Sequence, residues 1–407
     1  MKRFITFGIA LPAFFAFVMW ACSSDNNNEN LTTDTFSPTP YQIPEAKYFP
    51  KNLNIPIDNP MTVEGVELGR FLFYDGRLSG NTSKDLLMSC ATCHIQENGF
   101  EVGMSHPKFI NGKTFGLPSE KFPEGQPTPN YMLPLVNAVY NHNGYFWNGF
   151  IHESNDFRGN EELNIPSEND FHFKNIESVV WMSITSPHEM NSTIEKSVAA
   201  IDAIPMYKKK FKSAFGTEEV TYDRISKAIA QYVRSIVSHN SKFHKYLRQE
   251  AELTVQEKRG HDLFFSEDAD CFHCHGGSVL MTTNEYFNNA KDITFDLEDR
   301  DRHSISGDAM DIGAYRAPSL INIEITAPYM HDGRFKSLDE IIGFYSEGLV
   351  YSDYVHPLMK NVRQQGVQLN DEDKDALKAF LLTLTDHELI NNPQYSCPPE
   401  IKGWSGQ

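Results

Sequence analysis

The chain has 407 residues, of which 40% are hydrophobic and 12% aromatic; that is enough for two or three domains and excludes global disorder. With 54 acidic against 36 basic residues, its formal charge of −18 argues against a phosphate backbone as ligand, so no nucleic-acid partner is expected. Such acidity either keeps an exported protein soluble or steers a basic partner such as a small electron carrier.

The N-terminus carries an export pattern. Lys2 and Arg3 precede an apolar run from Phe4 to Ala21, and polarity returns with Ser23-Ser24-Asp25. Residues 1–21 therefore read as a signal peptide, with Pro12 inside the run and Cys22 directly after it favouring cleavage over a membrane-spanning anchor. Met19-Trp20-Ala21-Cys22 resembles a loose lipoprotein box, in which Cys22 becomes the lipidated first residue; plain secretion is the alternative. The expected location is the periplasmic side of a bacterial envelope, held by that lipid. Residues 22–45, rich in Asn, Thr and Pro, read as a flexible tether.

Ordered sequence follows. Val66, Leu68, Phe71 and Leu72 have helical spacing between Glu64 and Asp75, and Cys90-Ala91-Thr92-Cys93-His94 comes next. A Pro- and Gly-rich stretch from Gly103 to Pro134 reads as ordered loop. Residues 197–247 are mostly helical, with Ile225, Ile229 and Val233 on one face and Thr221 as N-cap. Thr254 to Glu257 is a capping box opening the helix before Cys271-Phe272-His273-Cys274-His275. A polar loop spans 281–312. Ser337 to Glu340 is a second capping box on a short helix ending before Gly348, and Asn370 caps a helix bearing Leu377, Phe380 and Leu381. No strand-rich run appears.

Of the six cysteines, Cys22 goes to lipid and Cys397 is left unassigned. The other four form two CxxC pairs, each followed by histidine, the pattern of c-type haem attachment. Two thiols at that spacing reach the two vinyl groups of one porphyrin, and the adjacent imidazole becomes the proximal iron ligand. A zinc site would need further ligands at finger-like spacing, and a redox dithiol does not require the histidine. Helix, CxxCH, loop and closing helix is the layout of a small cytochrome c domain. The expected fold is thus all-α, with two cytochrome c-like domains, 46–250 and 251–397, each built around one covalently bound c-type haem, and a tail at 398–407.

Several further motifs occur in order: Tyr74-Asp75-Gly76-Arg77-Leu78-Ser79, Leu135-Val136-Asn137, Phe146-Trp147-Asn148-Gly149, Pro187-His188-Glu189-Met190, Arg316-Ala317-Pro318-Ser319-Leu320, Thr326-Ala327-Pro328-Tyr329-Met330-His331-Asp332-Gly333, and Phe344-Tyr345. With them the chain, over about residues 60–390, resembles the bacterial dihaem cytochrome c peroxidases and their relative MauG. The resemblance implies a peroxidatic haem on His94 and an electron-transfer haem on His275. It implies Glu189 as the distal acid–base group and Trp147 as an electron relay between the haems. The sixth ligand of the second haem is a methionine in the peroxidases and a tyrosine in MauG-like members; here the matching position holds Tyr345, with Met330 and Met359 as alternatives. Thr326 and Pro328 match carbonyl donors of an interhaem calcium, with Asn130 a looser third.

This chain departs from the family pattern in places. An insertion lies around Ser154–His172, and a family glutamine and proline upstream of the distal glutamate appear as Val179 and Ser183. His106 reads as a solvated loop histidine, with a removable distal ligand as the alternative. The implied activity is reduction of hydrogen peroxide to water with electrons from a small cytochrome c or cupredoxin. A MauG-like oxidase acting on a protein, and a non-enzymatic dihaem electron carrier, are the alternatives. A homodimer is within the family's range.

Overall fold

The computed structural model describes residues 36–81, 87–104, 109–110, 113–114, 116, 125, 128, 130–151, 176–276, 279–296 and 301–406. The signal peptide, Cys22, His106 and the Ser154–His172 insertion lie outside the described residues. Residues from Phe36 onward form one compact unit. Among the described residues no helix is long and apolar enough to cross a membrane.

Helices dominate, and their starts follow local chemistry. Thr62 caps α1 (Val63–Tyr74) and Thr221 caps α5 (Tyr222–Ser235), each hydroxyl accepting from a first-turn amide. Thr254 and Glu257 form the expected capping box on α7 (Val255–Phe264), and Asn370 caps α11 (Asp371–Leu382). The box expected on α10 (Leu338–Glu347) is only half formed. Ser337 accepts from Glu340 N, but the Glu340 carboxylate takes the Lys336 amide at 2.5 Å, one residue further out. Among the described residues sheet is confined to two antiparallel pairs, β1 (Phe109–Ile110) with β2 (Lys113–Thr114) and β3 (Tyr286–Phe287) with β4 (Tyr315–Arg316).

Two helix pairs organise the rest, and each crosses at a glycine. A Cβ on Gly69 of α1 would sit 1.9 Å from the Ala228 carbonyl oxygen of α5. A Cβ on Gly260 of α7 would likewise sit 1.9 Å from the Ala376 carbonyl oxygen of α11. In both pairs the first helix precedes a CxxCH segment in the chain. One apolar cluster surrounds the first crossing, with Leu68, Leu72, Phe73, Ile229 and Tyr232. A second surrounds the other, with Leu263, Phe264, Ala376 and Phe380.

Helix α2 (Ile176–Thr185) is buried on nearly every side, so it lacks the one-sided apolar stripe that marks a helix in sequence. It is clamped to α5 by a buried ion pair: Arg234 Nη1 and Nη2 donate to the Glu177 carboxylate at 2.7 and 2.8 Å. Asn59 and the Asn54 carbonyl complete the bonding of that pair. Beyond α3 (Ile194–Asp202), α4 (Pro205–Phe215) and α6 (Lys242–Leu247), the chain enters the second pair.

The end of the chain returns to the first cluster. Leu389, Tyr395 and Ile401 are buried there, and the Tyr395 carbonyl accepts from the hydroxyls of Tyr74 and Tyr232, each at 2.7 Å. Ser89 Oγ donates to the Ser405 carbonyl at 2.6 Å, and Thr92 Oγ1 to that of Gly406 at 3.2 Å. The segment 398–406, expected as a tail, is a strap over the first CxxCH.

Gly69→Ala and Gly260→Ala each drive a methyl into helix backbone, so each should lower unfolding free energy by about 1–3 kcal/mol. Chemical denaturation followed by far-UV circular dichroism measures this, with Gly343→Ala in α10 as the control, where the backbone is helical and no described atom lies within 4 Å of the added carbon.

Candidate haem centres

At the first site, a 3-10 turn (Cys90–Thr92) is fixed by Ser89 and Thr92, whose side chains cap it reciprocally. His94 Nδ1 lies 2.8 Å from the Phe100 carbonyl. A carbonyl can only accept, so Nδ1 carries the hydrogen and Nε2 presents its lone pair. Burial pushes the imidazole down to about 4, which keeps it neutral at pH 7. Burial pushes the Cys90 thiol up to about 12, and the charge of Glu189 adds to the effect. Glu189 therefore belongs to the surroundings of the first CxxCH.

Glu189 is set by the turn that ends α2. Glu189 N donates to Ser186 O at 3.1 Å, and Met190 N to Ser183 O at 3.2 Å. Burial raises its carboxyl above the ordinary range, and a hydrogen bond from the Ser183 side chain draws it part of the way back. Ser183, one of the departures from the family pattern, thus touches the carboxylate.

The second site repeats the first. Cys271, Cys274 and His275 lie on and beside α8 (Phe272–His275), and His275 Nδ1 lies 3.1 Å from the Pro318 carbonyl. Burial pushes this imidazole down to about 4 and both thiols up to about 12. None of the four CxxC cysteines is joined in a disulfide. These residues line a cleft of about 1610 Å³, mouth included, that also receives Tyr345, Met330, Met359 and Trp147. Its walls are mainly apolar and its donors suit a c-type haem: two thiols, one neutral imidazole, and a choice of phenol or thioether.

Tyr345 and Met330 meet at one residue. Asn289 Nδ2 donates to Tyr345 Oη at 3.1 Å and lies 3.5 Å from Met330 Sδ. Burial holds the Tyr345 hydroxyl well above the usual phenol range, so ionisation near neutrality needs a cation close by, as ferric iron would be. Trp147 Nε1 donates to the Tyr131 carbonyl at 2.8 Å, and its ring meets His331 edge-on at 6.3 Å. His331 in turn stacks on Tyr315 at 3.6 Å.

Thr326 and Pro328 line the same cleft, whereas Asn130 is not among its lining residues. Sequence reading missed Glu101, which is 3% exposed in that lining, with Oε2 lacking any hydrogen-bond partner among the described residues. Burial raises its carboxyl well above the ordinary range. An acid flanked by Phe100 and Val102 directly after a CxxCH was the available signal. Asn289 lies in a polar loop and gave none.

Two CxxCH sites on a mostly helical scaffold define the class of dihaem, peroxidase-like proteins. A family model described as di-haem cytochrome c peroxidase matches residues 63–252. A solved MauG-like protein associated with microbial copper homeostasis is 31% identical, covering 88% of this chain and 99% of that one, with a TM-score of 0.72. The methylamine utilization protein MauG of Methylophilus methylotrophus is 26% identical over 339 residues, 82% of this chain and 86% of that protein. Cytochrome c551 peroxidase of Nitrosomonas europaea is 27% identical over 341 residues, 83% and 84% of the two chains. The chain belongs to the di-haem cytochrome c peroxidase family.

Replacing Cys90 and Cys93 by serine should lower covalently bound haem from two per chain to one, and replacing Cys271 and Cys274 should remove the other. Pyridine haemochrome quantitation against protein mass reads this; a count that does not change for either pair would remove that pair from haem attachment.

Proposed function

We propose that the protein is a periplasmic peroxidase that reduces hydrogen peroxide to two waters, using two protons and two electrons from a small cytochrome c or cupredoxin. The observation that carries this reading is Glu189, a carboxyl with raised affinity for protons beside Cys90 of the first CxxCH. When bound, haem iron supplies the redox chemistry of O–O cleavage. Glu189 takes the proton from one peroxide oxygen and returns it to the departing one, which a carboxyl near its transition can do in both directions. Ser183 holds the carboxylate by its hydroxyl. The carbonyls of Phe100 and Pro318 keep both proximal imidazoles in the ligating tautomer. Trp147, buried and fixed through its indole N–H, stands on the cleft wall as the relay residue. In this reading the chain divides near residue 250 into two haem-bearing halves, and Cys22 carries the lipid.

A MauG-like oxidase is the second reading, and Tyr345 favours it. A phenolate is a hard donor that stabilises ferric iron, whereas a thioether favours the reduced state. Calcium remains part of the proposal through Thr326 and Pro328, whose carbonyls accept no hydrogen bond from the described residues. The buried Glu101 carboxyl in the same lining is a further oxygen donor for such a cation.

Glu189→Gln should abolish peroxide-dependent oxidation of reduced cytochrome c while both haems stay attached; unchanged turnover removes the acid–base role. The Ser183 hydrogen bond favours the ionised form of Glu189, so Ser183→Ala should raise its pKa further. Because the ionised form must accept the first proton, the acid limb of the pH–rate profile then moves to higher pH. Tyr345→Phe should alter the absorption spectrum of one haem only, and an unaltered spectrum would return the ligand to methionine.

A further inference from the structure

Arg316 carries a positive charge into the second cleft, and among the described residues no carboxylate pairs with it. The residue is 6% exposed. Its Nε donates to the Phe146 carbonyl at 3.2 Å, and Nη2 to the carbonyls of Gly144 and Asn143 and to the Tyr286 hydroxyl. Every one of these acceptors is neutral. Among the described residues Nη1 has no partner, and no carboxylate forms an ion pair with the guanidinium. Arg302 lies on the same aromatic ring, 4.4 Å from the Tyr286 centroid against 5.6 Å for Arg316, and it too lacks a described carboxylate partner. Two guanidinium groups thus share the Tyr286 ring, and of the two Arg316 lines the cleft. Lys291 in the same lining shows the contrast, since its amine is paired with Asp292 at 2.5 Å and Asp332 at 2.9 Å.

A buried cation without a counter-charge is strongly unfavourable, and arginine does not escape by losing its proton. Among the described residues no counter-charge meets this guanidinium, which leaves it the capacity to receive an anion. The planar fork suits a carboxylate, and a haem tethered at Cys271 and Cys274 brings carboxylates into this cleft on its polar edge. We propose that Arg316 is the receptor for a haem carboxylate at the second site, and that the same guanidinium registers the Trp147 loop against that haem. The inference rests on the haem assignment of Cys271 to His275. Its second half follows from connectivity. Nε and Nη2 hold carbonyls on residues 143–146, and Arg316 N donates to the Trp147 carbonyl at 2.8 Å. Two residues on, the Pro318 carbonyl holds the His275 ring. One short segment, Arg316 to Pro318, therefore touches the relay loop, the proximal ligand and the anion receptor.

The test uses the full-length, haem-loaded protein. Haem is first counted in the wild type; a chain lacking haem on Cys271 and Cys274 defeats the parent assignment rather than this one. With both haems present, Arg316→Gln should lower the midpoint potential of the His275 haem, because losing a nearby cation favours ferric iron. The expected change is at least tenfold in the ferric/ferrous equilibrium, 59 mV for a one-electron couple. An unchanged potential overturns the proposal. Should Arg316→Gln accumulate poorly, Arg316→Lys decides the matter, since it keeps charge and loses the fork. Its potential should stay within about twofold of wild type in equilibrium terms, while the haem carboxylate band in resonance Raman shifts. A band that does not move also overturns it.

Discussion

The closeness of two helix crossings governs what the rest of the chain can do. At Gly69 and at Gly260 the neighbouring helix brings a backbone carbonyl where any side-chain carbon would stand. Helices this near share one tightly filled seam, and each CxxCH packs against it, with Ala91 and Cys93 in the cluster around the first crossing and Cys271 and Phe272 against the cluster around the second. The position of the thiols and the imidazole is thereby tied to rigid backbone rather than to a free loop. Each imidazole is then turned by a backbone carbonyl, Phe100 O for His94 and Pro318 O for His275. Packing sets the place of each ligand and hydrogen bonding to the backbone sets its direction.

Burial then does the electrostatic work. The same loss of water that keeps both imidazoles neutral also raises the thiols, the Tyr345 hydroxyl and the Glu101 carboxyl above their ordinary ranges. Charges that do enter the interior arrive with partners, as Arg234 does with Glu177 and Lys291 with Asp292 and Asp332. Against that habit the isolation of Arg316 stands out.

Much of this could be read from the chain. Thr221, Thr254 and Asn370 announce their helices because hydroxyl and amide caps act within one turn. The paired CxxCH segments name their chemistry because thiol spacing and the adjacent histidine are local. Long-range features were not legible. Helix α2 hides because it is buried on nearly all sides, and the strap hides because Pro399 to Trp404 has no periodic apolar pattern despite burying Ile401. Glu340 shows a local rule yielding to a neighbour, its carboxylate taking the amide one residue before the cap. The solvation of Glu101 and Arg316 depends on what surrounds them in space, which adjacent residues do not reveal.

The strap also has a consequence for the order in which the molecule can be completed. Synthesis runs from the N-terminus, yet the first CxxCH turn is fastened by the carbonyls of Ser405 and Gly406, at the far end of the chain. The helices around Gly260 close within a span that is already made. The half that is made first is thus fastened at its CxxCH turn only once residues 405 and 406 are in place.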